Sequence, residues 1–295
     1  MSRGLPGLEG RVAIVTGAAG GLGSATARRL ADEGVRLILA DTDEDRVAEL
    51  AKSLPADSAF LRADVSSEAD VAACVELAVS RFGQVDFHHL NAGIAGSLTT
   101  LPDLTAQEFD HVMAVNVRGV FLGLRAAFRQ FAWQRKAGAG TGAIVVTASI
   151  GSLRGSADLL PYQTSKHAVL GLVHGAAVYG GPLGVRVNAV APGIVPTELF
   201  AATPDAPGGK DDMSKRASTT PLRRAGTGDD IASVVAFLLS DDAAYITGEV
   251  VSADGGASIV SSVRPSGGAG AWDFAGHDAA LYGPHPAGPA GRAGS

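Results

Sequence analysis

Five residues, Val12-Ala13-Ile14-Val15-Thr16, run directly into the turn Gly17-Ala18-Ala19-Gly20-Gly21-Leu22-Gly23 and then into a helix pattern ending near Glu33-Gly34. A buried-type strand that passes through glycines into a helix leaves few folds open, because it begins a strand-helix-strand unit. The same arrangement gathers backbone amides at the positive end of a helix, where a pyrophosphate can be received, and glycines let the anion come close. Gly17, Gly20, Gly21, Leu22 and Gly23 are therefore candidate nucleotide contacts. The spacing is T-G-x-x-x-G-x-G and not G-x-G-x-x-G, and a tight connection without a ligand is the alternative reading of the turn taken alone.

The next strand, Val35 to Ala40, ends at Asp41, a little under 20 residues beyond Gly23. A carboxylate there can accept hydrogen bonds from the adenosine ribose and would repel a 2′-phosphate, which favours NAD over NADP. The alternative is that Asp41 only opens a turn with Thr42 and Asp43.

Strand and helix patterns then alternate. Ser58 to Ala63 reads as a strand ending in Asp64-Val65, Ser67 to Phe82 as a helix, and Val85 to Leu90 as a strand ending in Asn91-Ala92-Gly93. A long helix is expected from Thr105, where Thr105-Ala106-Gln107-Glu108 has the form of a capping box, towards Arg135. Asn116 lies inside it, either facing solvent or turned towards a cleft, and periodicity does not decide between the two. Strands at Ala143 to Ala148, Val185 to Ala191 and around Glu249 to Ala253, with a helix at Asp229 to Leu239, complete the pattern.

These repeats predict an α/β fold: a single-domain, doubly wound parallel sheet of Rossmann type with helices on both faces, joined by right-handed crossovers. The domain spans about residues 1–260, with a Pro-, Gly- and Thr-rich substrate loop at about 194–228 and a Gly/Ala/Pro-rich tail at 261–295. Trp272, Phe274 and Tyr282 are apolar anchors within that tail. Ligands of such sheets bind at the carboxyl ends of the strands, where Asp41, Asp64, Asn91, Ser149 and the Pro192-Gly193 turn fall.

Ser149 follows the strand Ala143 to Ala148, and Pro161-Tyr162-Gln163-Thr164-Ser165-Lys166 opens a helical pattern carried on by Val169, Leu172 and Val173. Four residues is about one helical turn, so Tyr162 and Lys166 share a face. A nearby ammonium favours the phenolate and would lower a tyrosine pKa from its usual value of about 10, making Tyr162 a candidate acid/base. The Ser149 hydroxyl could bond the same substrate oxygen. Tyr-x-x-x-Lys also occurs on ordinary helix surfaces, so other motifs have to support it.

The formal net charge of -6 and scattered Lys and Arg residues point away from nucleic acid and anionic membranes and towards a small-molecule partner. The single cysteine, Cys74, permits no internal disulfide and reads as a small buried hydrophobe. The first residues lack the apolar core of a signal peptide, and no segment has the roughly 18 apolar residues of a membrane span, so a soluble cytoplasmic protein is expected. His88 and His89 should point to opposite faces of their strand, and no metal-ligand spacing emerges among the histidines.

With Thr16-Gly17, Gly21, Gly23, Asp64, Asn91-Ala92-Gly93, Asn116, Ser149, Tyr162, Lys166, Asn188, Pro192-Gly193 and Thr197 in this order, the chain resembles the short-chain dehydrogenase/reductase family from about Gly10 to Gly256. The resemblance implies Tyr162 as acid/base, Ser149 orienting the substrate oxygen, Lys166 binding the nicotinamide ribose and lowering the tyrosine pKa, and Asn116 holding a water in a proton path. It implies adenine contacts from Asp64 and Val65, adenosine-side contacts from Asn91, Ala92 and Gly93, and further cofactor contacts from Pro192, Gly193, Ile194, Val195 and Thr197, with Ile194 and Thr197 at the carboxamide. It also implies assembly as a homo-oligomer, a dimer or homotetramer.

The chain departs from the family pattern at Leu90, where a first asparagine is common, at Tyr179, where a glutamate is common, and in its tail. Ile94, Leu153, Leu159, Leu160, Leu199 and Phe200, with Asp158 as the polar exception, are expected to edge the substrate pocket, and Leu159 is the named substrate contact beside Ser149 and Tyr162. Together these predict an NAD-dependent oxidoreductase acting on a hydrophobic secondary alcohol or ketone. The alternatives are a ketone or imine reductase and a non-catalytic NAD-binding regulatory protein on the same fold.

Overall fold

The computed structural model describes residues 4–138, 140, 142–155, 159–197, 217 and 220–260. Seven strands form one parallel sheet: β1 (Val12–Thr16), β2 (Arg36–Asp41), β3 (Ser58–Arg62), β4 (Phe87–Leu90), β5 (Ala143–Thr147), β6 (Arg186–Pro192) and β7 (Val250–Ala253). Their order across the sheet is β3-β2-β1-β4-β5-β6-β7, and every neighbouring pair is parallel. β1 and β5 are buried along their whole length, as continuous apolar runs in a sheet covered on both faces must be. The sheet reverses its winding between β1 and β4, and the turns after these strands open there.

Helices cover both faces. On one lie α1 (Gly21–Asp32) and α2 (Glu44–Ser53), whose Ala27, Leu30, Val47 and Leu50 pack on Val15, Leu37, Leu39 and Val145. On the other lie α3 (Glu68–Phe82) and, beyond a short α4 (Ala106–Met113), the helices α5 (Gly119–Lys136) and α6 (Leu160–Gly180). Ile14, Ile38 and Cys74 form a cluster under α3, while Val120, Leu124, Val169 and Val173 enclose Ile144 and Val146. α2 leaves little trace in the apolar periodicity, since only Val47 and Leu50 are buried along it; Asp43 caps it, accepting the Arg46 amide at 3.1 Å.

Two expectations are corrected. The single helix from Thr105 towards Arg135 is α4, a π-helical turn at Ala114–Arg118, and α5. The capping box at Thr105 and Glu108 is present, but the widened turn rotates Asn116 fully into the interior. The crossovers are also not all of one hand. From β4 through β7 the sheet advances in one direction, yet α5 and α6 lie on one face and the helix before β7, α7 (Gly228–Leu239), lies on the α1 face. The connection from β6 to β7 is therefore of opposite hand to those before it. Ile231, Val235, Leu238 and Leu239 share a buried cluster with Ala27 and Leu30 of α1, which holds α7 on that face.

Asn188 donates to Ile246 O at 2.8 Å and accepts the Glu249 amide at 3.0 Å, tying β6 to the entrance of β7. Leu90 is buried against α5, and Tyr179 is exposed on α6 with its ring edge-on to Phe128. Most of the expected substrate loop, the anchors Trp272, Phe274 and Tyr282, and the tail lie outside the described residues.

Candidate active site

At the carboxyl ends of β1, β2, β4, β5 and β6 the chain opens a cleft of about 340 Å³. On the β1 side it is lined by Gly17, Gly20, Gly21 and Leu22 of the turn, with Asp41 after β2. Gly17 has φ +65°, and a Cβ there would sit 2.8 Å from Ala92 Cα, so only glycine suits the position. Gly23 lies beneath the cleft wall, because a Cβ would fall 2.0 Å from Gly17 O; its role is close packing of α1 on the turn. α1 has Gly20 as its cap, with neither a side-chain cap nor an acidic residue in its first turn. That end is suited to an anion.

The Asp41 carboxylate braces the same turn, accepting the Ala19 amide at 2.9 Å and the Asp43 amide at 3.1 Å. Asp43 and Arg46 also line this end, and Arg46 has no signature in the linear pattern because its place depends on α2. Asp64 and Val65 lie outside the cleft lining. Asp64 accepts the amide and hydroxyl of Ser66, both at 2.8 Å, and Val65 packs against Gly119.

Asn91, Ala92 and Gly93 form the floor between the two ends. Asn91 donates to Thr16 O and Gly17 O, both at 3.1 Å, and its amide donates to Thr16 Oγ1 at 3.0 Å. The strand-end asparagine thus holds the glycine turn in place.

Ser149, Tyr162 and Lys166 meet at the other end with Pro192, Gly193, Val195 and Thr197. Ser149 and Tyr162 adjoin at this end of the cleft, and the Gly151 amide donates to Ser149 Oγ at 3.0 Å. Burial raises the Tyr162 pKa, and the Ser149 hydroxyl works in the opposite direction. Burial, and not the expected lowering by Lys166, is the largest influence on the phenol in this arrangement. The Lys166 Nζ lies 5.7 Å from the Tyr162 ring centroid and donates to Thr147 O at 2.7 Å, while burial of the ammonium lowers its own pKa to about 8.

Asn116 sits behind this end, next to Gly93 of the cleft floor. Its Oδ1 accepts the Ile94 amide at 2.8 Å, and its Nδ2 donates to Ile94 O at 2.8 Å and to Ser165 Oγ at 2.9 Å. Ile194 is outside the lining, its carbonyl accepting the Gly226 amide at 2.9 Å. Leu159 precedes α6, and Leu153 and Leu160 expose side chains on the segments that carry Ser149 and Tyr162. Asp158, Leu199 and Phe200 lie outside the described residues. Thr147, Ala148 and Ala19 line the cleft as well, an extension that follows from the strand and turn residues adjoining the named positions.

Among the described residues no group of three His, Cys, Asp or Glu side chains could hold a metal ion, and no helix is long and apolar enough to cross a membrane.

A strand-end cleft with a glycine turn at one side and a Ser, Tyr and Lys set at the other defines a Rossmann-type oxidoreductase. The family model described as enoyl-(acyl carrier protein) reductase matches residues 17–258, and the chain belongs to the short-chain dehydrogenase/reductase family. Levodione reductase of Leifsonia aquatica is 40% identical over 258 residues, covering 84% of this chain and 94% of its own. A crystal structure of levodione reductase matches with a TM-score of 0.78 over 86% of this chain and 99% of that one. Cyclohexanol dehydrogenase of Acinetobacter sp. (strain SE19) is 36% identical over 248 residues, 83% of this chain and 94% of its own. The 3-ketoacyl-(acyl-carrier-protein) reductase of Brucella melitensis, in a structure complexed with NADH, is 34% identical, with a TM-score of 0.78 over 85% of this chain and 99% of that one.

Proposed function

We propose that the protein is an NAD-dependent oxidoreductase that interconverts a hydrophobic secondary alcohol and its ketone, with Tyr162 as acid/base. The observation that carries this reading is that Ser149, Tyr162 and Lys166 line one end of the same cleft. Two hydroxyls side by side can share one substrate oxygen, Ser149 orienting it and Tyr162 exchanging its proton.

The dinucleotide fits the residues present: an unobstructed glycine turn at a helix N-terminus suits a pyrophosphate, and Asp41 at the end of β2 suits ribose hydroxyls over a 2′-phosphate. Gly17, Gly20, Gly21 and Leu22 would hold the pyrophosphate side, Asn91 to Gly93 the middle, and Lys166, Pro192, Gly193, Ile194, Val195 and Thr197 the nicotinamide side. When bound, the nicotinamide supplies the hydride acceptor or donor. The chain's own part is to place the carbinol carbon and exchange the oxygen's proton at Tyr162 Oη. The apolar side chains that Leu153 and Leu160 expose on the segments carrying Ser149 and Tyr162 support a hydrophobic substrate, and cyclohexanol dehydrogenase among the relatives supports a cyclic one.

Burial of Tyr162 favours a second direction. A phenol that keeps its proton at neutral pH is the acid that carbonyl reduction requires, so the same site reduces ketones with NADH. The test is NADH formation and consumption with a panel of cyclic secondary alcohols and ketones, against Tyr162→Phe. Turnover in the native enzyme that is lost in the variant, with dinucleotide binding retained, is the expected result. Tight NAD binding without turnover in either direction across the panel would instead support a non-catalytic NAD-binding protein.

A further inference from the structure

His89 is fully buried in the central strand β4, and the proposed chemistry makes no use of it. Its Nε2 lies 3.0 Å from Thr147 Oγ1 on β5, and Thr147 Oγ1 lies 3.0 Å from Asn91 Oδ1. The direction of each proton can be worked out. Asn91 Nδ2 has both hydrogens committed to the carbonyls of Thr16 and Gly17, so its Oδ1 is the acceptor for Thr147. The Thr147 hydroxyl has one hydrogen, which goes to Asn91, and it must therefore accept from His89. His89 is the Nε2–H tautomer, which agrees with a buried Nδ1 that has no hydrogen-bond partner. A proton on Nδ1 would have no acceptor, and burial lowers the pKa of this ring to about 3.

The donors thus run one way, from His89 to Thr147 to Asn91 and on to the Gly17 carbonyl. That carbonyl also accepts the Gly20 amide at 3.3 Å, closing the turn. Thr147 has a second link through its backbone, since its carbonyl receives the Lys166 ammonium. One residue therefore reaches the glycine turn by way of Asn91 through its hydroxyl and holds the lysine through its peptide. Only the first of these links depends on a side chain that substitution can remove.

We infer that His89 is a positioning residue for the dinucleotide: its Nε2–H orients the Thr147 hydroxyl, which through Asn91 holds the Gly17 turn in the form that receives the pyrophosphate. The inference rests on the proposed dinucleotide site. It predicts a split between binding and turnover, because the His89 path ends at the turn while Tyr162 and Lys166 are held by other bonds.

The experiment measures NADH affinity by fluorescence titration and kcat at saturating cofactor for the native enzyme, His89→Leu, His89→Gln and Thr147→Val, with thermal unfolding run in parallel. His89→Leu fits an apolar core but has no donor, and it should bind NADH about tenfold more weakly, the equivalent of one net hydrogen bond, with kcat within about twofold of native. His89→Gln presents an N–H at comparable reach and should recover most of that affinity. Thr147→Val should lower NADH affinity by a similar factor, and the His89→Leu/Thr147→Val double variant should bind NADH no more weakly than either alone. Native affinity in His89→Leu would overturn the inference. So would equal loss in the Leu and Gln variants tracking a fall in unfolding temperature, which is the mark of packing alone. Failure of the native enzyme to bind NAD(H) would instead remove the dinucleotide reading itself.

Discussion

The Lys166 ammonium donates to the Thr147 carbonyl at 2.7 Å, and this bond, not one to the phenol, fixes its place beside Tyr162. The carbonyl attracts the ammonium but does nothing to ionise the tyrosine. Both groups are buried, which disfavours the charged form of each: the Tyr162 pKa moves up and the Lys166 pKa down to about 8.

The pH dependence follows from these directions. Alcohol oxidation needs the phenolate, and a raised tyrosine pKa leaves that form scarce at neutrality. We expect kcat/KM for oxidation to climb from pH 7 to pH 10, approaching about tenfold per unit where a single ionisation controls it. Ketone reduction uses the protonated phenol and should show no such climb. Profiles measured in both directions decide the matter, and an oxidation rate already level at pH 7 would mean that the lysine does depress the tyrosine.

Asn116 offers a second prediction, this one about stability. Its amide satisfies both the N–H and the C=O of Ile94 and reaches Ser165, all from a buried position in the π-helical turn. Asn116→Ala leaves those backbone groups without partners in a place that water does not readily reach. A loss of about 2–4 kcal/mol in urea unfolding is expected, from orphaned buried groups at about 1–3 kcal/mol each. A loss below about 0.5 kcal/mol would show that the turn is held by other bonds.

A third prediction concerns Asp41, which braces the Ala19 amide at 2.9 Å while standing at the cleft's adenosine end with Arg46. Asp41→Ala removes a negative charge that would face a 2′-phosphate and leaves Arg46 as a partner for one. The ratio of kcat/KM with NADP to that with NAD should rise at least about tenfold, the change expected from roughly 1.4 kcal/mol of relieved repulsion. Its affinity for NAD should fall at the same time, because the turn loses a brace. Unchanged cofactor discrimination in steady-state kinetics would contradict the specificity role.

Much of this architecture is legible in the chain because continuous apolar runs such as Ala13-Ile14-Val15 and Ile144-Val145-Val146 have no place except inside a sheet. Chemical residues fall just beyond those runs, so Asp41, Asn91 and Ser149 converge once the strands are parallel. What the pattern hides depends on three-dimensional register. The π-helical turn at Asn116 changes the hydrogen-bonding period without changing the apolar spacing around it. The reversed hand before β7 is set by α7 packing on α1, two helices far apart in sequence. The link from His89 to Thr147 likewise joins β4 to β5 across the sheet, and neither residue signals the other along the chain. The one-turn spacing brings Lys166 near the ring but does not show that burial acts on the phenol or that a strand carbonyl takes the ammonium.

The paired histidines of β4 make the fold sensitive to acid. His88 packs its ring edge-on against Phe131 at a centroid distance of 5.8 Å, with its Nε2 buried and without a partner, and burial lowers its pKa to about 3, as it does that of His89. Both are neutral in the fold and titrate near 6.5 when unfolded. Their folded pKa values lie below the unfolded ones, so the unfolded chain binds more protons between about pH 6.5 and pH 3, and stability falls as pH drops through that window. Each histidine contributes a slope of up to about 1.4 kcal/mol per pH unit. Urea unfolding at pH 7, 6 and 5 should therefore show a steeper loss in the native protein than in His88→Leu, by about one proton's worth of slope, even if the variant is less stable at pH 7. Parallel slopes in the two proteins would mean that the unfolded state does not protonate His88 there, or that the ring finds a partner when charged, and either would refute the assignment of acid sensitivity to this buried imidazole.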